Sequence, residues 1–330
     1  MKAILCTEPG TADQLSLAEL DDPQPGPDEV LIDVHAAGLN FPDTLVIAGK
    51  YQFRPDMPFI PGGEAAGVIR AVGDNVKNLK PGDRVMSTGM VGAFAEQQVK
   101  PAREVIPMPD SMGFDVGAGF LVTYGTSYYA LKQCGQLEAG ESLVVLGAAG
   151  GVGLAAVDLG KAMGARVIAA ASSEEKLDIA CAAGADLRIN YGKGDEPNNL
   201  RDQIKALTDG KGADVVYDPV GGDLSEQALR ATGWDGRLLV VGFASGTIPA
   251  IPLNLTLLKN NSIRGVFYGV WAQKFPAAFQ ENLQELFAFF EQGKLHPLVS
   301  QKFELEHYVE AFNTLTERRA KGKVILTMSR

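Results

Sequence analysis

Leu143-Val-Val-Leu146 runs directly into Gly147-Ala-Ala-Gly-Gly-Val-Gly153, and from there into an Ala- and Leu-rich segment that lasts to Met163, just before Gly164. An apolar run, a glycine turn and a helix in that order form the context that a dinucleotide fingerprint requires. Gly150 and Gly151 let backbone approach a pyrophosphate, Val152 lies among the helix-opening amides that face it, and Gly153 permits close packing of helix on strand. Ala148 stands where the strict pattern has a glycine, so the reading rests on strand, turn, helix and following strand together.

The rhythm outward from this turn sets the architecture. Arg166-Val-Ile-Ala169, Val215-Val-Tyr217, Arg237-Leu-Leu-Val-Val241 and Ser262-Ile-Arg-Gly-Val-Phe267 alternate with helix-length segments, one of which opens on Ser173-Glu-Glu-Lys-Leu177 with a Ser cap and acids in its first turn. Continuous β-rich runs linked by helices predict a parallel sheet covered on both faces. Up to about residue 110 the pattern differs. Short runs such as Glu29-Val-Leu-Ile-Asp-Val-His35, Ala66-Gly-Val-Ile-Arg-Ala-Val72, Asp83-Arg-Val-Met86 and Glu96-Gln-Gln-Val99 are cut by Pro/Gly clusters, which predicts a compact, mostly antiparallel β domain. A long amphipathic helix over Phe275 to Gln292 and a last strand over Lys323 to Thr327 follow, the strand returning to the first domain. The expected fold is therefore α/β: a doubly wound parallel-sheet domain over residues 124–269, a β domain over 1–123, and residues 270–330 completing the β domain.

Composition narrows the function. The 330 residues suit two domains, and the net charge of -10 sets the field of the molecule against phosphate backbones and anionic lipid. Neither a nucleic-acid partner nor a membrane is expected. Cys6, Cys134 and Cys181 are far apart with no C-x-x-C spacing, which argues against a disulfide framework or a cysteine-built zinc lobe and for a reducing compartment. The longest apolar stretch, Leu143 to Val157, falls short of the roughly 18 residues of a membrane span. The opening Met1-Lys2-Ala-Ile-Leu5 lacks the apolar core of a signal peptide, so a cytoplasmic protein is expected.

The second strand of the parallel sheet bears on the cofactor. It ends in Ala169-Ala170-Ala171, without the Asp or Glu that accepts from a ribose 2′-hydroxyl in NAD sites. Ser172, Ser173 and Lys176 follow, offering hydroxyl donors and a cation to a 2′-phosphate, which favours NADPH. The alternative for Lys176 is a solvated helix residue.

Together with Ala36-Ala-Gly-Leu-Asn-Phe-Pro-Asp43, Ile60-Pro-Gly-Gly-Glu-Ala-Ala-Gly-Val68, Phe120-Leu-Val-Thr-Tyr-Gly-Thr126, Tyr217-Asp-Pro-Val-Gly-Gly222 and Gly322-Lys-Val-Ile-Leu326, these features make the whole chain resemble the medium-chain dehydrogenase/reductase superfamily. The match is to its zinc-free NADPH:quinone oxidoreductases, the zeta-crystallin-like branch, with a Rossmann domain and a GroES-like catalytic domain. Zinc members of that superfamily carry a Cys and a G-H-E segment, where this sequence has Asn40 and Gly62-Gly63-Glu64. Glu64 alone cannot hold zinc, which takes about four N, S or O ligands, so no metal is expected. His35, His296 and His307 read as packing or surface residues.

The resemblance places Asn40, Asp43 and Tyr51 at the mouth of the interdomain cleft near the nicotinamide. Tyr51 either donates to the oxygen that gains charge or shapes the pocket; Asn40 either holds a substrate or nicotinamide amide or ties a turn; Asp43 organises the loop between them. The resemblance also implies cofactor contacts from Thr126 and Tyr191. Gly221, Gly242 and Phe243 lie in turns after later strands and are expected to wall the nicotinamide side. Lys323 either reaches the cofactor or is exposed. Leu45 stands where many quinone reductases of the branch have a second tyrosine.

The expected activity is hydride transfer from NADPH to a quinone, with α,β-unsaturated carbonyls or enoyl thioesters as the second substrate class. An NADPH-binding structural or regulatory protein is the reading from a different class. Ser262 to Tyr268 reads as a bare apolar edge strand, which is either paired with its copy in a homodimer or covered by the Phe275 to Gln292 helix.

Overall fold

The computed structural model describes residues 1–192 and 199–328. Contacts divide the chain into two units, Met1–Val122 with Pro297–Arg330, and Thr123–His296. Among the described residues no helix is long and apolar enough to cross a membrane.

The first unit begins with an antiparallel ribbon of β1 (Lys2–Leu5) and β2 (Ser16–Glu19). Its main strands are β3 (Glu29–Leu39), β4 (Glu64–Val72), β5 (Arg84–Thr88), β6 (Gln97–Pro101) and β7 (Val105–Pro107). The eleven-residue β3 is the spine, pairing antiparallel with both β4 and β6. Its residues feed two cores: Val30 and Ile32 pack with Ile69 and Val85, while Val34, Ala37 and Leu39 join a cluster with Phe94, Phe312 and Leu326.

The second unit carries β8 (Ser142–Leu146), β9 (Arg166–Ala171), β10 (Leu187–Asn190), β11 (Ala213–Asp218), β12 (Thr232–Val240) and β13 (Ser262–Gly265). They form one parallel sheet in the order β10-β9-β8-β11-β12-β13. Every residue of β8 is buried, which explains a continuous apolar run in place of alternation. The order reverses between β8 and β11, and ligands of doubly wound sheets bind beyond the carboxyl ends of strands at such a reversal.

After residue 296 the chain adds β14 (Val299–Glu304) and β15 (Lys323–Thr327) to the first unit. β15 lies antiparallel on β3, with Leu326 opposite Ala37 and Val324 opposite Leu39.

Two expectations need correction. Residues 270–296 stay with the second unit, because the helix Pro276–Glu291 is bound there: Tyr128 Oη donates to Glu285 at 2.7 Å and Gln133 Nε2 to Asn282 at 2.9 Å. The edge strand ends at Gly265 and not at Tyr268, since Tyr268 opens a helix, Tyr268–Lys274, whose Trp271 stacks on Tyr129 at 4.4 Å.

The placement of β15 predicts that Leu326→Ala, a fully buried position in the core of the first unit, lowers its stability by about 2 to 5 kcal/mol. Denaturant unfolding checks this as a lower midpoint at unchanged slope.

Candidate functional site

In the first unit, three segments distant in sequence converge over Gly38. Glu64, at the start of β4, pairs with Gly38 on one side of β3; on the other side Val324 pairs with Leu39, which brings Lys323 beside Asn40. Gly38 presents no side chain to separate them. A Cβ there would collide with Ala118 O and stand 2.8 Å from both Glu64 Oε1 and Lys323 Cε.

The meeting is an ion pair with a shared amide. Lys323 Nζ donates to Asn40 Oδ1 at 2.6 Å and to Glu64 Oε1, and Asn40 Nδ2 donates to the same Glu64 oxygen at 2.9 Å. Glu64 Oε2 accepts from Val122 N at 3.1 Å, in the first turn of the helix Phe120–Tyr129. First-turn amides lack partners within their helix and the helix start favours a carboxylate, so both Glu64 oxygens are satisfied. Glu64 is 1% exposed and Lys323 6%; charges so deeply buried persist only when paired.

Asn40 extends the network to the helix Phe41–Ile47, where Asp43 Oδ2 accepts from Asn40 N at 2.7 Å. Burial pushes the Asp43 carboxyl up from its ordinary 3.8 to about 7; the Asn40 amide, Lys323 and the Gly63 amide pull it down, and Glu64 adds to the rise. Tyr51 is partly buried, and burial followed by the Asp43 charge holds its phenol above the ordinary value. Asn40 and Asp43 thus share one network, Tyr51 feels its charge, and Lys323, expected at the cofactor or in solvent, is neither exposed nor uncommitted.

In the second unit the glycine turn is as the spacing predicts. Gly150 caps the helix Gly151–Ala162, and Gly153 faces the turn so closely that a Cβ would collide with Gly147 O. Ser127 Oγ, next in sequence to Thr126, donates to Val152 O at 2.9 Å. At the end of β9, Tyr191 N donates to Ala171 O at 3.0 Å, bringing Tyr191 to the segment of Ser172, Ser173 and Lys176. Ser173 caps the helix Glu174–Ala182, accepting from Lys176 N. Glu174, the nearest carboxylate in sequence, accepts from Asn190 Nδ2 at 2.8 Å.

Gly221, Gly242 and Phe243 gather after β11 and β12 around a residue that sequence reasoning missed. Asp218 is 2% exposed; its Oδ1 accepts from Val220 N and Gly221 N at 2.8 and 2.9 Å, and its carbonyl from Gly242 N at 3.3 Å. An aspartate at the end of an apolar run, just before Pro219 and two glycines, is the usual mark of a side chain that organises its own turn. Glu64 and Gly38 were missed as well, because their partner Lys323 joins them only through the β15 register.

Comparison with known proteins adds three findings. An alcohol dehydrogenase GroES-like domain family matches residues 26–110, and a zinc-binding dehydrogenase family matches residues 151–287. The chain is 39% identical to the quinone oxidoreductase-like protein 2 homolog of Nematostella vectensis over 98% of this chain and 88% of that one, and 34% identical to the quinone oxidoreductase of Pseudomonas aeruginosa over 96% of each. The solved Escherichia coli quinone oxidoreductase complexed with NADPH superposes with a TM-score of 0.91 at 29% identity, covering 99% of this chain and 100% of that one.

Zinc does not fit the donor set. Asn40 and Gly63 hold the expected ligand places, an ammonium is hydrogen-bonded to Asn40 and to Glu64 beside Gly63, and among the described residues no group of three or more His, Cys, Asp or Glu could hold a metal ion.

The Asp43 environment predicts a pH effect. The folded chain binds this proton more tightly than the unfolded one, so its stabilisation is full below about pH 4 and is lost as pH rises through about 7. Asp43→Asn, which keeps an acceptor for Asn40 N, should remove that component. Unfolding curves of both proteins from pH 4 to 8 check it: relative to the variant, the unmodified protein loses stability across this range.

Proposed function

The chain belongs to the quinone oxidoreductase branch of the medium-chain dehydrogenase/reductase superfamily, and we propose that it reduces a quinone with NADPH and without a metal. The observation that carries this reading is the pairing of Lys323 with Glu64 and Asn40, which commits Asn40, at one would-be ligand position, and Glu64, beside the other at Gly63, to a buried ammonium. With no Lewis acid to polarise an alcohol or a simple carbonyl, the reading selects an acceptor that is already electron-poor.

Bound NADPH would supply the hydride. The chain's own groups do the rest: the amides opening the helix Gly151–Ala162 hold the diphosphate, Ser172, Ser173, Lys176 and Tyr191 take the 2′-phosphate, and Thr126, Gly221, Gly242 and Phe243 line the nicotinamide side. Tyr51 keeps its proton at neutral pH and is assigned as the donor to the substrate oxygen that gains charge, while Asn40 and Asp43 position its loop.

A homodimer is part of the proposal. Among the described residues β13 is bonded on one side only, and Leu253, Leu257 and Leu258, close by in sequence, are 78%, 81% and 67% exposed. Bare edge strands are normally paired, covered or charged, and pairing with a second copy through this edge accounts for both features.

Two predictions follow from the cofactor and the edge. Lys176→Ala should weaken NADPH binding about 10- to 100-fold, the worth of one hydrogen bond to a charged group, and leave NADH nearly unchanged; fluorescence titration with both cofactors decides it. Because Val266 N already donates to Val240 O at 3.0 Å, the alternation of a parallel strand turns the Ile263 amide outward. Ile263→Pro should therefore leave the sheet intact and yield monomers in sedimentation, whereas an unmodified chain that sediments as a monomer contradicts the dimer. The substrate class is tested by following NADPH oxidation with small quinones, medium-chain enals and enoyl thioesters; dominance of either of the last two replaces the quinone reading.

A further inference from the structure

The glycine-turn helix carries one buried carboxylate that neither the cofactor nor the chemistry uses. Asp158 lies two turns beyond Gly151 and is 2% exposed. Its Oδ2 accepts from Tyr124 Oη at 2.8 Å and from His296 N at 2.6 Å, and His296 Nδ1 stands 3.5 Å from Oδ1. Burial and the Asp158 charge keep the Tyr124 phenol protonated, so it donates.

The identity of those two donors matters. The second unit runs from Thr123 to His296, so Tyr124 is its second residue and His296 its last. Two ends of a unit more than a hundred residues apart are thus hydrogen-bonded to a single oxygen, on the helix whose first turn is the proposed diphosphate site. The entering helix is also bonded to that first turn, through Ser127 Oγ and Val152 O, and Ser127 shares its hydroxyl with the buried Tyr217 Oη at 2.9 Å.

We propose that Asp158 is a positioning residue that fixes both ends of the cofactor-binding unit to the glycine-turn helix, so that a dinucleotide held at the turn tightens both ends together. The inference rests on the NADPH reading above. Its physical basis is short: a helix is stiff over two turns, and a buried amide and hydroxyl whose common acceptor shifts are left unpaired, at a cost that favours concerted ordering.

Hydrogen exchange on the full chain, with and without saturating NADPH, tests it. In the unmodified protein NADPH should slow exchange at residues 148–153, and at 123–126 and 294–296 by about fivefold or more. In Asp158→Ala it should slow the turn alone, and Asp158→Asn, which retains an oxygen for both donors, should restore the unmodified pattern. If Asp158→Ala does not fold, Tyr124→Phe serves: protection should be lost at 123–126 and kept at 294–296. A merely structural Asp158 would change stability but leave the NADPH response of the ends intact. Protection of the turn without the ends in the unmodified protein, or equal protection of the ends in Asp158→Ala, overturns the inference. Absence of any protection at the turn overturns the NADPH reading itself, and the inference with it.

Discussion

A buried ammonium shared between a carboxylate and an amide holds the first unit in its observed form. Lys323, Glu64 and Asn40 come from β15, β4 and the loop after β3, and the pair also reaches Val122 at the start of a helix. Removing two charges from water is costly, so such a pair does not by itself make a protein more stable than an apolar replacement. What it supplies is specificity. Each partner, left alone, is an uncompensated charge in a site a few per cent exposed, so β15 has one register on β3 that satisfies all of them.

The same constraint shapes the chemistry. Asn40, at the place of one expected zinc ligand, and Glu64, next to the place of the other, are held by a buried ammonium. The ammonium's charge is committed to Glu64, so the network offers positioning and a carboxyl that titrates near neutrality in place of an electrophile. On the proposed reading that suits hydride delivery to an acceptor needing no polarisation, with Tyr51 as the proton donor.

What was legible in the sequence was local. The glycine turn, the Ala-rich end of β9 with its serines, and the alternation of strands and helices are each written within about thirty residues, where spacing maps onto structure directly. The buried partners of Lys323 were out of reach of local reading because they lie 283 and 259 residues away and meet it only through strand register. Gly38 is visible in Ala36-Ala-Gly-Leu-Asn40, yet its purpose appears only with the two side chains that cross above it. Asp158 follows the apolar stretch Leu143 to Val157 with nothing in its neighbourhood to mark a role, and its two donors come from opposite ends of a unit. The overlong edge strand and the misassigned helix Pro276–Glu291 have one cause: Trp271 stacks on Tyr129 and Phe289 packs edge-on to Tyr128, a tertiary choice that periodicity does not encode.

A double-mutant cycle over Lys323→Met and Glu64→Gln, read as unfolding free energies of the full chain at pH 7, tests the central claim most directly. If the pair organises the unit, Lys323→Met alone costs about 3 to 5 kcal/mol by stranding a buried carboxylate. The double variant, with the charge removed, is then more stable than that single variant, giving a coupling on the order of 1 to 3 kcal/mol. Losses that simply add would contradict the account, since two residues that do not depend on each other cannot be what holds β15, Asn40 and the helix start in place.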